Sequence, residues 1–177
     1  PTRPRARAAA EVALAASAVL EQCAGFLDAL PDADYARASR SMMGSTIGQH
    51  VRHAIDHFNA ALACLEDDIA IDYDHRARRT PVENDRAEGA RVAARLAESL
   101  ASVSDADAAR SVRVRVMLSG DGREAELYST LARELAFAAH HAVHHHAMIA
   151  AIAAEFGHTP PAGFGKAPST LNYEQSR

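Results

Sequence analysis

Apolar residues recur at three- and four-residue intervals through most of the chain, and that spacing predicts helices. Over residues 8–30, Val12, Ala16, Val19, Cys23, Phe26 and Leu30 fall on one stripe, and Pro31 stops the run. Residues 32–44 are polar and irregular, with room for a short turn of helix. A second helix starts at Thr46, which with Gln49 fits a capping box. It carries Ile47, Val51, Ala54, Phe58, Ala61, Leu62 and Leu65 and ends around residues 66–68. After a polar connection over residues 71–76, Thr80-Pro81-Val82-Glu83 reads as a helix start, with Thr80 as cap and Pro81 in the first turn. That third helix runs to about Ser102. The period then changes to two: Val112, Val114, Val116 and Leu118 alternate with polar residues, Ser119-Gly120-Asp121-Gly122 is a turn, and residues 124–128 form a second extended piece. The last helix runs from about Thr130 to Phe156 and ends at Gly157. Pro160, Pro161, Gly163, Gly165 and Pro168 make residues 158–177 an irregular tail.

Four long helices with one short insertion predict an all-α fold: an antiparallel four-helix bundle, with a small β-hairpin before the last long helix, in a single domain over residues 1–177. Composition agrees. Apolar residues make up 48% of the 177, aromatics only 5%, and alanine, the best intrinsic helix former, is abundant. The net charge of -4 and the mixing of acidic with basic residues argue against a phosphate-binding surface, so no nucleic-acid partner is expected. Arg3, Arg5 and Arg7 read as a solvated end. Cys23 and Cys64 read as buried apolar residues rather than a disulfide. No apolar stretch is expected to span a membrane, and Glu11 interrupts the one segment that could pass for a signal-peptide core. The expectation is a cytoplasmic protein with no membrane partner.

Most of the ten histidines lie in two short segments, and these carry the candidate chemistry. On the last helix, His140 pairs with His144 and His141 with His145 at i, i+4 spacing, which sets two imidazoles one turn apart on one face. The core stripe of Leu131, Leu135, Ala138, Ala142, Ile149, Ile152 and Phe156 decides between the pairs. At about 100° per residue, His145 lies within roughly 30° of the centre of that stripe and His141 within about 70°. His140 lies nearly opposite, His144 more than about 120° away, and His146 about 70° off on the other flank. Only His141 and His145 form a pair that looks inward. On the second helix, His50, His53 and His57 share a flank, and periodicity places His50 and His57 nearer the core than His53.

The sequence resembles the DinB/YfiT-like superfamily of metalloenzymes. The resemblance rests on Thr46-Ile47-Gly48 followed by His53, seven positions after the Thr, and on His141-Ala142-Val143-His144-His145, a His-x-x-His-His. It implies a four-helix bundle with a divalent metal, zinc or nickel foremost and iron as an alternative, on His53, His141 and His145. His50 and His57 then become neighbours that orient ligands or replace one. Asp56 and Glu134 are the nearest acidic residues, and Glu134 is two turns from His141.

Three neutral imidazoles leave a borderline metal with a free position, which suits activation of water or of a thiol. The resemblance implies a metal-dependent enzyme of thiol-dependent S-transferase or hydrolase type, with a small-molecule substrate and a low-molecular-weight thiol as cosubstrate. The alternative is a non-catalytic metal-binding or stress-response bundle, as a homodimer, in which the ion supports the fold. No Ser-His-Asp order, phosphate-binding glycine loop or CxxC competes with the histidines.

Overall fold

A computed structural model describes residues 9–67 and 69–177. The arginine cluster at residues 3–7 lies outside the described residues, as does the expected start of the first helix at residue 8. The fold is mostly helical. Four long helices, α1 (Ala10–Asp28), α3 (Ile47–Ala63), α4 (Arg86–Ala101) and α6 (Leu131–Glu155), are joined by short helices α2 (Asp32–Tyr35) and α5 (Asp105–Ala108). A last helix, α7, covers Pro168–Gln175, and three strands, β1 (Ile71–Asp72), β2 (Ser111–Met117) and β3 (Glu124–Thr130), form one sheet.

Each long helix packs against two others: α1 against α4 and α6, and α3 against α6 and α4. The space they enclose is filled by Leu20, Leu27, Phe58, Leu100, Leu135, Ile149 and Ile152, with alanines from α1, α3, α4 and α6 between them. Small side chains let helix axes approach closely, which suits so few aromatics. Of the expected α1 stripe, Ala16, Cys23, Phe26 and Leu30 are buried, and Val12 and Val19 are the two that give way to neighbours. Ala13, Ala16, Leu20, Cys23 and Leu27 are buried, whereas Val12 and Val19 line an apolar groove against α6. By length and composition α1 is apolar enough to cross a membrane, contrary to the sequence expectation, but its stripe from Ala13 to Leu27 is buried against neighbouring helices. Cys23 and Cys64 are both free and buried.

Three expectations are corrected. The third helix does not start at Thr80. Residues Pro81–Glu83 form one 3-10 turn, Thr80 makes no side-chain cap, and the α-helix begins at Arg86 behind Asp85, whose carboxylate accepts from the Glu88 backbone N–H at 3.1 Å. Asp85 is as good a cap as Thr80, and the local pattern does not separate them. The fold is mostly helical with an inserted sheet, but that sheet has a third strand. β2 and β3 pair antiparallel from Ser111↔Thr130 to Met117↔Glu124, while β1 pairs parallel with β2 through Ile71↔Val114. A two-residue strand shows almost no periodicity of its own, so it reads as loop. The tail is not all coil. Beyond a turn over residues 161–165 it forms α7, with Pro168 in its first turn.

The turn is seated by Phe164, buried against Phe26 with ring centroids 5.0 Å apart and stacked on His146 at 4.6 Å. Gly165 has φ +73 and comes so close to α6 that a β-carbon there would lie 2.6 Å from the Ala147 Cα.

Candidate metal centre

The N-terminus of α3 is built for accuracy. The Thr46 hydroxyl accepts from the Gln49 N–H at 3.1 Å, and the Gln49 carbonyl oxygen accepts from the Thr46 N–H at 3.2 Å, so the expected capping box is present. Two residues in, Gly48 faces the 3-10 turn so closely that a β-carbon would sit 2.0 Å from the Glu83 carbonyl oxygen. One turn further along α3 the histidines meet those of α6.

His53, His141 and His145 each bring a ring nitrogen to one spot, and these atoms lie within 4.8 Å of one another. The Nε2 atoms of His53 and His141 are 2.9 Å apart. His140 and His144 are exposed, on the outward side of α6. His146 is more deeply buried than His145, at 1% against 9%, but it points to Phe164 and away from the cluster. His57 is more buried than His53, yet it donates from Nδ1 to the His53 carbonyl oxygen at 2.9 Å and stacks on Tyr73 at 4.9 Å. Burial therefore does not rank these histidines. The cluster sits on the seam between α3 and α6, with His145 buried and His53 and His141 partly buried, and periodicity measured from the core centre finds the α6 pair but points past His53.

A chain of hydrogen bonds fixes the His145 tautomer. The Ser45 hydroxyl donates to the Met42 carbonyl oxygen at 2.7 Å, so toward His50 Nε2, 3.1 Å away, it accepts. His50 then carries its proton on Nε2 and offers a bare Nδ1, which accepts from His145 Nδ1–H at 3.0 Å. That leaves the Nε2 lone pair as the donor of His145. A ring whose far nitrogen is held this way is pre-oriented toward an ion.

All three rings are held neutral. Burial first, then the neighbouring imidazoles, pushes His145 down to about 2. Burial and the Arg76 guanidinium push His53 down to about 3, and burial and His57 push His141 down to about 4. Neutral imidazole is the form that ligates metal. Three such nitrogens with no carboxylate among them suit zinc, nickel or ferrous iron better than magnesium or calcium. The donor set thus fits the ion that the resemblance implies.

A second layer was not legible as a site. Tyr73 lies under His57 and donates to Glu134 Oε2 at 2.9 Å, and Ser129 donates to the other oxygen at 2.6 Å. Glu134 is buried and occupied with these partners and Arg133, so it braces the Tyr73–His57 stack from below. The stretch around Tyr73 is too short to carry a strand pattern, so no signal in the sequence marks it. Asp56 is held between Arg52 at 3.5 Å and Arg76 at 3.7 Å.

The cluster opens into a cleft of about 440 Å³, whose walls include His50, His53, His145, Arg52, Arg78 and Arg79. Fold and site together define a helical protein with a three-histidine cluster between two long helices, beside an open cleft. The chain belongs to the DinB superfamily: the match runs over residues 15–149 and includes all three histidines. It is also similar to FK506-binding protein 5 of Rhizopus delemar, 32% identical over 104 residues, a match covering 58% of this chain and 27% of that protein. The chain therefore spans only a fraction of that relative's length. No solved structure matches it.

Proposed function

We propose that the protein holds one divalent metal ion, zinc or nickel foremost, on His53, His141 and His145, and uses it as a metal-dependent enzyme of thiol-dependent S-transferase or hydrolase type. The observation that carries this reading is the meeting of three neutral ring nitrogens from two helices within 4.8 Å at the edge of an open cleft. The surrounding fold is read as an antiparallel four-helix bundle of DinB type, with β2 and β3 as a hairpin ahead of α6. When bound, such an ion supplies a Lewis acid that makes a thiol or a water molecule nucleophilic at neutral pH. The chain's own residues do the rest. His50 and Ser45 orient His145, the His57–Tyr73–Glu134 stack backs His53 and His141, and the open side admits a small molecule. Among the described residues the group of mutually close donors has three members, which favours catalysis over a sealed structural ion.

Metal analysis of freshly purified protein tests the reading, followed by an activity screen with bacillithiol, mycothiol and glutathione. One equivalent of metal is expected, abolished in His145→Ala and retained in His140→Ala. Absence of stoichiometric metal, or loss in His140→Ala with retention in His145→Ala, overturns it. Metal without turnover in any thiol or hydrolase assay would leave the non-catalytic, stress-response reading in its place.

A further inference from the structure

The loop over residues 74–80 carries Arg76, Arg78 and Arg79, of which Arg78 and Arg79 line the histidine cleft together with Arg52 of α3. The carboxylates nearby are already taken. Glu83 pairs with Arg52 Nε at 2.8 Å and also accepts from the Arg79 backbone N–H at 3.3 Å. Asp56 lies between Arg52 and Arg76. Asp56 and Glu83 are thus taken by Arg52 and Arg76, and among the described residues neither Arg78 nor Arg79 forms an ion pair. Both line the same cleft as His50, His53 and His145.

The backbone makes the arrangement specific. Arg79 has φ +58, in the left-handed region that a residue with a β-carbon rarely adopts. Such a conformation persists only where its surroundings hold it, and here the hydrogen bond to Glu83 does so. The same Glu83 is part of the 3-10 turn against which Gly48 is fitted, so Arg79 is tied to the helix that carries His53. Two unpaired guanidinium groups beside a cluster of neutral nitrogen donors make a cleft of net positive charge, and an incoming ion adds to that charge. A neutral or cationic ligand gains nothing there. A carboxylate or a phosphate gains forked, charge-assisted hydrogen bonds.

We infer that the cleft takes a small molecule bearing an oxyanion, held by Arg78 and Arg79 with its reacting end toward His53 and His145. The inference rests on the histidine cluster being the reacting centre. The cleft volume, about 440 Å³, is that of a small-molecule site. Arg78 and Arg79 act on substrate choice, and the chemistry at the histidines is left to the metal centre.

The test is calorimetric titration of zinc-loaded protein with succinate and, separately, with inorganic phosphate, at low and at high ionic strength, with zinc content measured on the same samples. Binding of at least one probe is expected, weakened by salt, and the probe that binds tells carboxylate from phosphate recognition. The double variant Arg78→Gln, Arg79→Gln should keep its zinc and weaken that binding by about tenfold or more. The variant Arg78→Lys, Arg79→Lys should recover part of it, because charge returns without the fork. Failure of both probes to bind zinc-loaded protein, or binding unchanged in the Gln double variant, overturns the inference and leaves the metal reading standing. If the wild type takes up no zinc, the metal reading falls, and the same titration on the metal-free protein decides this one: Arg78- and Arg79-dependent binding keeps it, and no binding overturns it.

Discussion

Ser45 has one hydroxyl proton and gives it to the Met42 carbonyl, and from that single commitment the protonation of two histidines follows. Ser45→Ala removes the acceptor for His50 Nε2–H. His50 can then carry its proton on Nδ1 and donate to His145, which forces the His145 proton onto Nε2 and blocks its lone pair. The expected outcome is a zinc affinity weaker by about tenfold, with little change in thermal stability, measured by competition with a chelator. An affinity equal to wild type, in a protein where His145→Ala abolishes binding, would remove Ser45 from the site. His141 and His145 could be read from the sequence as an inward pair because facing along one helix is a local property. The meeting of His53 with them could not be read from periodicity, which ranks residues by distance from the core. A site that keeps a side open has to lie off that centre, and only the family motif pointed to His53. Tyr73 and Glu134 were hidden because their hydrogen bond joins positions 61 residues apart, and Ser45 because it reaches the cluster only through the contact of His50 with His145.

At the scale of elements, the junction between α3 and the 3-10 turn Pro81–Glu83 carries both the ligand helix and the arginine loop. Gly48 is what allows it. Alanine there would gain about 1 kcal/mol of helix propensity. Its β-carbon would stand 2.0 Å from the Glu83 carbonyl oxygen, which is backbone and has no rotamer with which to escape. Overpacking of this kind costs about 1–3 kcal/mol, so the clash outweighs the propensity. Gly48→Ala is expected to lower the thermal midpoint and to displace Glu83, releasing Arg52 and Arg79. A stability equal to or above wild type in thermal unfolding would show that the turn simply moves away. Long periodic elements such as α3 and α6 were plain in the sequence. The late start of α4 was not, because Thr80 and Asp85 are both sound caps and tertiary fit at Gly48 chose between them. β1 was missed because two residues carry almost no pattern and it is held by pairing with β2, and α7 because it buries no residue and so shows no apolar face.

Across the whole molecule, the helical pattern told where the long helices lie but not how the connecting loop over residues 36–46 is anchored, and that loop delivers Ser45 and Thr46 to the site. Its anchor is Glu155, at the far end of α6. The carboxylate accepts from the Ser39 and Ser41 hydroxyls, each at 2.6 Å, and from the backbone N–H groups of Arg40 at 2.9 Å and Ser41 at 3.1 Å. Those donors, the Ser39 hydroxyl foremost, hold Glu155 down at about 2, against an ordinary value of 4.5. A carboxylate depressed by folding adds stability that is fully present above its unfolded value and is lost as the pH falls through the folded one. The Glu155 contribution should therefore be intact above about pH 4.5 and fade between there and about pH 2. Other carboxylates titrate in the same window, so the informative quantity is the difference from Glu155→Gln, which has no charge to lose. Urea midpoints for both proteins should be well separated at neutral pH and converge as the solution is acidified. A separation that stays constant down to about pH 2 would mean that the four hydrogen bonds act without the charge, and that the loop bearing Ser45 is held by its own packing instead.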